Sequence, residues 1–475
     1  MARVIWRRLA RPSRFLAGLV IACVLVNIVL LSSIVHWQSD WATAGAAVAD
    51  VDAVEDQEKE VRPWAGMSKR FWTSDLHDGG RGDLPSLLMD LGHKFFNMGL
   101  KRERGPFPEV IARMTMPSRP LAPTIDRLWS HSSGLRESDV VEMFEYYKDD
   151  PVMYETDAFL CLFPASYCEI FMPFNRTIIF NAAHRLFLGR CSTASAQRLV
   201  DHLRMMLERR PGHPRHFVVA SGRYDVEYIK YFMGIEVSLV STSGFGYALN
   251  KTVYTQSRPE ILIGPLQAES SPYTDTLNQA AAGKFTFIAV KALYRPFRLQ
   301  DIANHRAVVI MPKTCMSWGI SDIYALGVPM FVPSIPFLME LKHVEDLHIR
   351  DGFYCGPNWQ PPPPFRLANG STTHPFSPED LSVEAQSYWL QYADYYQWPH
   401  IATFSSWAEL ITLLETTDLV AVHHKMMAQN VIRLRELQSQ LTDIADQIDG
   451  SRRVVPKHFE SAIRSLWNVS RLMVD

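Results

Sequence analysis

The chain has 475 residues, with 48 Lys and Arg against 50 Asp and Glu, a net charge of −2 and 47% hydrophobic residues. A pI near 6.8 with no basic excess gives no electrostatic reason to expect a nucleic-acid partner. The length exceeds one ordinary hydrophobic core, and no C-x-x-C pair or His/Cys spacing of a zinc site occurs.

Residues 1–14 form a short tail carrying Arg3, Arg7, Arg8, Arg11 and Arg14, followed by an uncharged apolar run from Phe15 to Val35. That run has roughly the 20 residues a membrane helix needs, so an anchor over residues 15–37 is expected. Beyond it the charge reverses, with Asp40, Asp50, Asp52, Glu55, Asp56, Glu58 and Glu60 facing a single Lys59. Positive-inside reasoning puts the tail in the cytosol and the rest of the chain in a lumen. Ala47-Val48-Ala49 resembles a signal-peptide cleavage site, but the apolar core is too long and ends too far from it. Residues 38–65 are acidic and aperiodic, as a solvated stem would be.

Lumenal exposure fits four acceptor sequons, at Asn175, Asn250, Asn369 and Asn468, each of a kind that also arises by chance. Cys161, Cys168, Cys191, Cys315 and Cys355 follow the anchor, while Cys23 lies within it. This odd count allows at most two internal disulfides.

From Lys69 onward, short apolar strands alternate with helical stretches, the pattern of parallel α/β sheets. No internal repeat is visible. The first unit, Arg70 to Gly92, runs from a strand into Asp75-Leu76-His77-Asp78, then a Gly-Gly-Arg-Gly turn and a helix starting near Asp83. Polar groups at the carboxyl end of a first parallel strand are well placed for chemistry. Asp75, His77, Asp78 and Asp83 are therefore candidate proton acceptors, with ordinary turn and capping roles as the alternative. A second unit spans Asp157 to His184, with His184 and Arg185 after its second strand. A third spans His216 to Ser241, where Ser221-Gly222-Arg223 turns the chain into a helix from Tyr224 to Phe232. Thr252 to Glu260 reads as a linker, and strands follow at Ile261–Gly264 and Phe285–Val290.

Residues 307–334, AVVIMPKTCMSWGISDIYALGVPMFVPS, read as strand, loop, helix, strand. Ser317 is a candidate cap for the helix, and Gly327 and Pro329 end it. A helix amino terminus behind such a loop presents N–H groups and a dipole to a phosphate. Pro361 to Pro364 marks a loop. Tyr388, Trp389, Tyr392, Tyr395, Tyr396, Trp398, Phe404 and Trp407 follow in a dense run; such rings either stack on sugars or pack a core. Ala421 to Ile448 has the spacing of an amphipathic helix, and a last helix is expected near His458 to Met473.

This arrangement resembles the GT-B class of glycosyltransferases across about residues 68–345, through the order and character of its elements. Ser317-Trp318-Gly319 is similar to that family's diphosphate loop, Asp322 falls near its ribose-binding acid, and Gly327-Val328-Pro329 is similar to its helix ending. The resemblance implies an α/β fold of two Rossmann-like domains facing a cleft, behind the amino-terminal transmembrane helix. These would be an acceptor-side domain at 66–252 and a nucleotide-sugar domain at 253–425, followed by carboxyl-terminal helices at 426–475. It also implies a nucleotide-sugar co-substrate with no resident cofactor, a glycan, glycoprotein or glycolipid acceptor, and Golgi or ER lumenal residence. His77, Asp78 and Asp83 would be catalytic, and Lys313, Ser317, Trp318, Gly319, Asp322 and Arg223 would bind the donor. The two Glu of retaining members are not matched, since Thr314 stands eight residues before Asp322, so inversion by single displacement is expected. The only Asp-x-Asp, Asp50-Val51-Asp52, lies in the stem, so no obligatory metal is expected. RYDVEYIKYF and Tyr-Gln-Trp-Pro-His at 396–400 also resemble stretches of uncharacterised glycosyltransferase-like type II membrane proteins of invertebrates and protists. Two other classes stay open. Met311 to Trp318 resembles the Pro-Lys-x-Gly-Thr-Thr-Trp loop of sulfotransferases, which use an adenosine-phosphate sulfate donor. A catalytically inert lumenal binding protein with a transferase-like fold is the third.

Overall fold

A computed structural model describes residues 68–73, 78–97, 135–183, 186–241, 243–249, 252–264, 271–341, 359–449 and 455–460, with a few positions between 110 and 124. The chain divides into two compact units, Met1–Met67 and Ser68–Asp475, and all described residues belong to the second. The expected anchor and stem therefore lie outside the described residues, as do Asp75, His77, His184, Arg185 and most of the last expected helix. Among the described residues, no helix is long and apolar enough to cross a membrane.

Two parallel sheets organise this unit. The first contains β1 (Arg70–Thr73), β2 (Lys94–Asn97), β3 (Ala158–Cys161), β4 (Thr177–Ala182), β5 (Phe217–Ala220) and β6 (Ser238–Leu239), in the order β2-β1-β3-β4-β5-β6. The second contains β7 (Ile261–Gly264), β8 (Phe287–Ala289), β9 (Val308–Ile310), β10 (Met330–Pro333) and β11 (Ala402–Phe404), in the order β11-β10-β9-β7-β8. Counted from its own first strand, the second sheet runs 2-1-3-4-5 and the first runs the same order with a sixth strand added at the end, the flavodoxin-like order with its switch point between first and third strands. The same five-strand order thus occurs twice without a sequence repeat. Central strands are apolar on both faces, as Phe159, Ile178, Val219, Leu262 and Val309 show, because helices cover both sides of a parallel sheet.

One continuous core runs from Trp72 and Phe159 of the first sheet through Leu262 and Ile310 of the second. A separate cluster around Ile263, Phe331 and Phe404 covers the other face of the second sheet. The expected two-sheet architecture is observed. Residues 359–390 lie between β10 and β11 of the second sheet in sequence, yet pack on the first. There they cover helix α3 (Arg223–Met233), whose last carbonyl accepts from Arg204 of α2 (Thr193–Leu207). Trp359 donates to the Arg190 carbonyl, Phe365 N–H to Tyr231, and the Tyr228 hydroxyl to Glu379 at 2.7 Å. Trp389 packs edge-on against Tyr224 and Tyr231. With Tyr224, Tyr228, Tyr231 and Phe232 on one side and Val226, Ile229 and Met233 on the other, α3 is apolar nearly all round. Such a helix requires covering on every face.

Helix α1 (Asp78–Asp90) begins five residues before the expected start, so the Gly-Gly-Arg-Gly run is helical. Glycine costs roughly 1 kcal/mol per helical position, and tertiary packing overrides it. The helix lies close against the short α4 (Phe245–Ala248), where a Cβ on Gly246 would sit 1.6 Å from Ser86 Oγ. Helix α7 (Leu419–Asp446) crosses back from the second sheet to the first through Met426, Leu437, Leu441 and Ile444. Lys69 Nζ then donates to the Ile448 carbonyl at 2.8 Å.

Candidate functional site

The carboxyl ends of the two sheets meet. Phe163, just past β3, stands edge-on to Trp318 at 5.5 Å, and Ala183, just past β4, packs with Met316 and Trp318. Beyond β5, a Cβ on Gly222 would lie 3.0 Å from Asp394 Oδ1 and 3.3 Å from Asp225 Oδ2. Residues following β3 and β4 therefore face the loop that follows β9 and the start of the next helix, and the turn after β5 faces Asp394.

That loop, residues 311–317, leads into α5 (Trp318–Ala325) with Ser317 at the N-cap. The Ser317 hydroxyl makes no capping hydrogen bond; its carbonyl accepts from Ile320 and Ser321 N–H instead. Lys313 is exposed, Ser317 and Gly319 half-buried, and Trp318 buried. The short helix α6 (Asp394–Gln397) holds the loop from behind. Asp394 N–H donates to the Cys315 carbonyl at 3.2 Å, and the Tyr395 hydroxyl to the Thr314 carbonyl at 3.0 Å. The Tyr396 hydroxyl donates to the Pro333 carbonyl at 2.6 Å. Cys315 is buried and unoxidised, and burial pushes its thiol well above the usual range.

A buried polar seam lies deeper. Asp83 accepts from Ser243 N–H and Oγ, both at 2.9 Å, and from Gly244 N–H at 3.0 Å. It thereby caps α4 from another element. Desolvation raises its carboxyl to about 6 against those hydrogen bonds. Asp322 accepts from the Tyr247 hydroxyl at 2.6 Å, and burial raises it to about 7. Arg433 of α7 lies over Trp398 at 4.5 Å, Tyr324 at 5.1 Å and Phe245 at 5.5 Å, and donates to Ser241 Oγ at 3.2 Å. Its charge also acts on Asp394, which burial raises to about 7.

The expected site residues therefore separate. Lys313, Ser317, Trp318 and Gly319 are together at the meeting of the sheets. Asp83 and Asp322 are not at its mouth. Asp83 is fully enclosed and already accepts three hydrogen bonds, which removes it from the role of base toward an incoming hydroxyl. Asp322 points from α5 into the seam, where Tyr247 occupies it, and is not free for a ribose. Arg223 opens α3, is partly exposed and pairs with Glu227 on the same helix. Asp78 is the first residue of α1, and its side chain is outside the described set, as is all of His77. Sequence reasoning missed Arg433 and Asp394. Arg433 looks like one more solvated charge on an amphipathic helix, and only the run of aromatic residues before it hints at a buried cation.

The dense aromatic run does not converge on this site. Trp389 packs on α3, Tyr395 braces the loop from behind, Tyr396 holds the end of β10, Trp398 lies under Arg433, and Phe404 and Trp407 fill the second core. The loop resembling that of sulfotransferases follows β9, the third strand of the second sheet, not a first strand.

No family model matches the chain, and no curated protein does. Solved structures that it is similar to include the glycosyltransferase of kitacinnamycin, at 10% identity over 81% of this chain and 100% of that one, with TM-score 0.43. Another is the glycosyltransferase SnogD from Streptomyces nogalater, at 11% identity over 80% and 100%, TM-score 0.40. A third is the spinosyn forosaminyltransferase SpnP, at 9% identity over 80% and 100%, TM-score 0.42. Likenesses of this depth carry no weight for what the chain does.

Proposed function

We propose that this protein is a glycosyltransferase that moves a sugar from a nucleotide diphosphate to a hydroxyl of a glycan, protein or lipid. One observation carries the reading: two parallel sheets sharing the order 2-1-3-4-5 bring their carboxyl ends together at the β9–α5 loop. Ligands of open α/β sheets bind outside those ends at the switch point, and two such edges in apposition suit a donor on one and an acceptor on the other.

The donor diphosphate lies at the amino end of α5, beside exposed Lys313. Developing negative charge on the leaving diphosphate meets the helix dipole and the ammonium. The segment from the end of β1 to the first residue of α1, residues 74–78, supplies the base. His77 or Asp78 takes the acceptor proton while the acceptor oxygen attacks the anomeric carbon, with inversion and without an obligatory metal. The disulfide Cys161–Cys168 and a second disulfide at Cys191 suit an oxidising lumen. They support, with the arginine tail and apolar run, a single-pass type II protein of the Golgi membrane.

The test is thermal stabilisation of the full chain in detergent against nucleoside diphosphates, nucleotide sugars and adenosine 3′,5′-bisphosphate, which reports binding by mass action. One nucleoside diphosphate should raise the melting temperature. Lys313→Ala should abolish most of that rise and lower transfer by roughly 100-fold, the scale of one lost transition-state contact, with stability unchanged. A response to the bisphosphate alone would indicate sulfate transfer, and silence across the panel an inert binding protein.

A further inference from the structure

We propose that Asn369 carries an N-linked glycan, an inference that rests on the lumenal placement proposed above. The four sequons are not equivalent in the folded chain. Asn250 and Asn468 are outside the described residues. Asn175 is half-buried, and the residues completing its triplet are enclosed: Arg176 is 4% exposed and Thr177 2%. The Arg176 guanidinium donates to the Thr156 carbonyl at 2.8 Å, and Thr177 opens β4 in register with Ala158 of β3. An enzyme reading that triplet on the folded protein would have to peel a strand from the centre of the sheet.

Asn369 is presented differently. It lies in a turn closed by an antiparallel bridge between Arg366 and Thr372, with Leu367 N–H donating to Ser371 O at 2.8 Å. Gly370, at φ +82°, makes the reversal that an L side chain resists. Asn369, Gly370 and Ser371 are all exposed, so the whole triplet is accessible. The Ser371 hydroxyl donates to Asn369 Oδ1 at 2.7 Å, and Ser371 N–H to the same oxygen at 3.0 Å. Nδ2 has no hydrogen-bond acceptor among the described residues and is the atom to be modified. In the transfer, Nδ2 bonds to the anomeric carbon of a lipid-diphosphate-linked oligosaccharide. The bond from that carbon to the diphosphate oxygen breaks, the lipid diphosphate leaves, and the amide nitrogen releases one proton.

The glycan does not obstruct the proposed donor site. The turn is held at the far end of α3, through Phe365 against Gly234 and Thr373 Oγ1 on the Lys230 carbonyl. Gly222 and Asp394 stand at its amino end. The 11 residues of α3 span roughly 16 Å at 1.5 Å per residue.

The experiment expresses the full chain in eukaryotic secretory cells and compares gel mobility before and after peptide-N-glycosidase. Wild type should show a glycosidase-sensitive species, and Asn369→Gln and Ser371→Ala should each lose one step of it. Ser371→Thr, which preserves the triplet, should keep that step, and stabilisation by the donor nucleotide should be unchanged in all three. The same number of steps in Asn369→Gln as in wild type would overturn the proposal while leaving lumenal placement intact. Absence of any step in wild type would overturn it too. Protease protection in sealed microsomes then separates the causes: a protected chain means only this site failed, and a digested one means the lumenal reading failed with it.

Discussion

Asp83 and Asp322 stand on either side of Gly244, one bonded to its N–H and the other within 2.9 Å of where its Cβ would be. Asp83 ties two elements of the first sheet's side together, and Asp322 links the second sheet's α5 to α4. Removing a partner from such a group leaves a buried acceptor or donor unsatisfied, at about 1–3 kcal/mol each. Tyr247→Phe is therefore expected to lower stability by about that amount in urea titration. Asp83→Ala, which orphans Ser243 and Gly244 N–H together, is expected to lower it more. A Tyr247→Phe midpoint equal to wild type would show that water replaces the hydroxyl and that the seam is open. The same burial sets a pH dependence. Asp83 at about 6, and Asp322 and Asp394 at about 7, are all raised from 3.8 by desolvation. Through that window the folded chain holds protons that the unfolded chain has released, so their contribution is full below about pH 4 and lost as pH rises through 6–7. Glu169 acts oppositely. Burial pushes it up, but the Arg190 guanidinium and then His202 hold it far below the usual carboxylate range, so its stabilisation is lost on acidification. The urea midpoint is expected to be highest near about pH 5 and to fall toward neutrality. A midpoint that rises steadily from pH 5 to 8 would contradict the assignment of these carboxyls.

The loop after β9 depends on an element some 80 residues further along. Asp394 N–H and the Tyr395 hydroxyl hold the carbonyls of Cys315 and Thr314, so α6 sets where the amino end of α5 points. Tyr395→Phe removes one of these bonds at a cost of about 1 kcal/mol. It is expected to weaken nucleotide-induced stabilisation several-fold while the unliganded melting temperature changes little. Wild-type ligand response in that variant would mean that the loop holds its own shape. α3 and α1 show how much of an element is legible locally. The aromatic periodicity of α3 predicts a helix, and its apolar circumference predicts burial on all sides, but not that residues 359–390 supply the cover. The glycine-rich start of α1 reads locally as a turn, because nothing in those four residues signals the close approach of α4 further along the helix at Ser86.

A core shared by the two sheets and a helix that crosses between them predict that the unit Ser68–Asp475 unfolds as one body. Arg433, Met426, Leu437 and Leu441 all lie on α7, so this helix contributes both the cation of the polar seam and an apolar ridge to the first sheet. Ending the chain at Thr417 is expected to expose that apolar surface and leave Asp83 and Asp394 without their compensating charge. The expected outcome is insoluble protein, whereas the intact chain unfolds in one transition by both fluorescence and far-UV circular dichroism. Two separated transitions in the intact chain would show that the sheets are independent domains.

What the sequence by itself determined is local. Strand runs, helix periodicities and the Gly-Val-Pro ending after α5 depend on neighbours a few residues apart, and they were enough to imply two parallel α/β sheets. The Pro-Lys-Thr-Cys-Met-Ser loop at a helix amino terminus was legible for the same reason. Tertiary structure alone decided which charges are surface groups and which are structural. Asp83 and Asp322 look like free carboxylates until Ser243, Gly244 and Tyr247 arrive from 75 to 161 positions away. Arg433 looks solvated until three aromatic rings from distant elements enclose it. Burial is a property of the whole packing, and no window of sequence contains it.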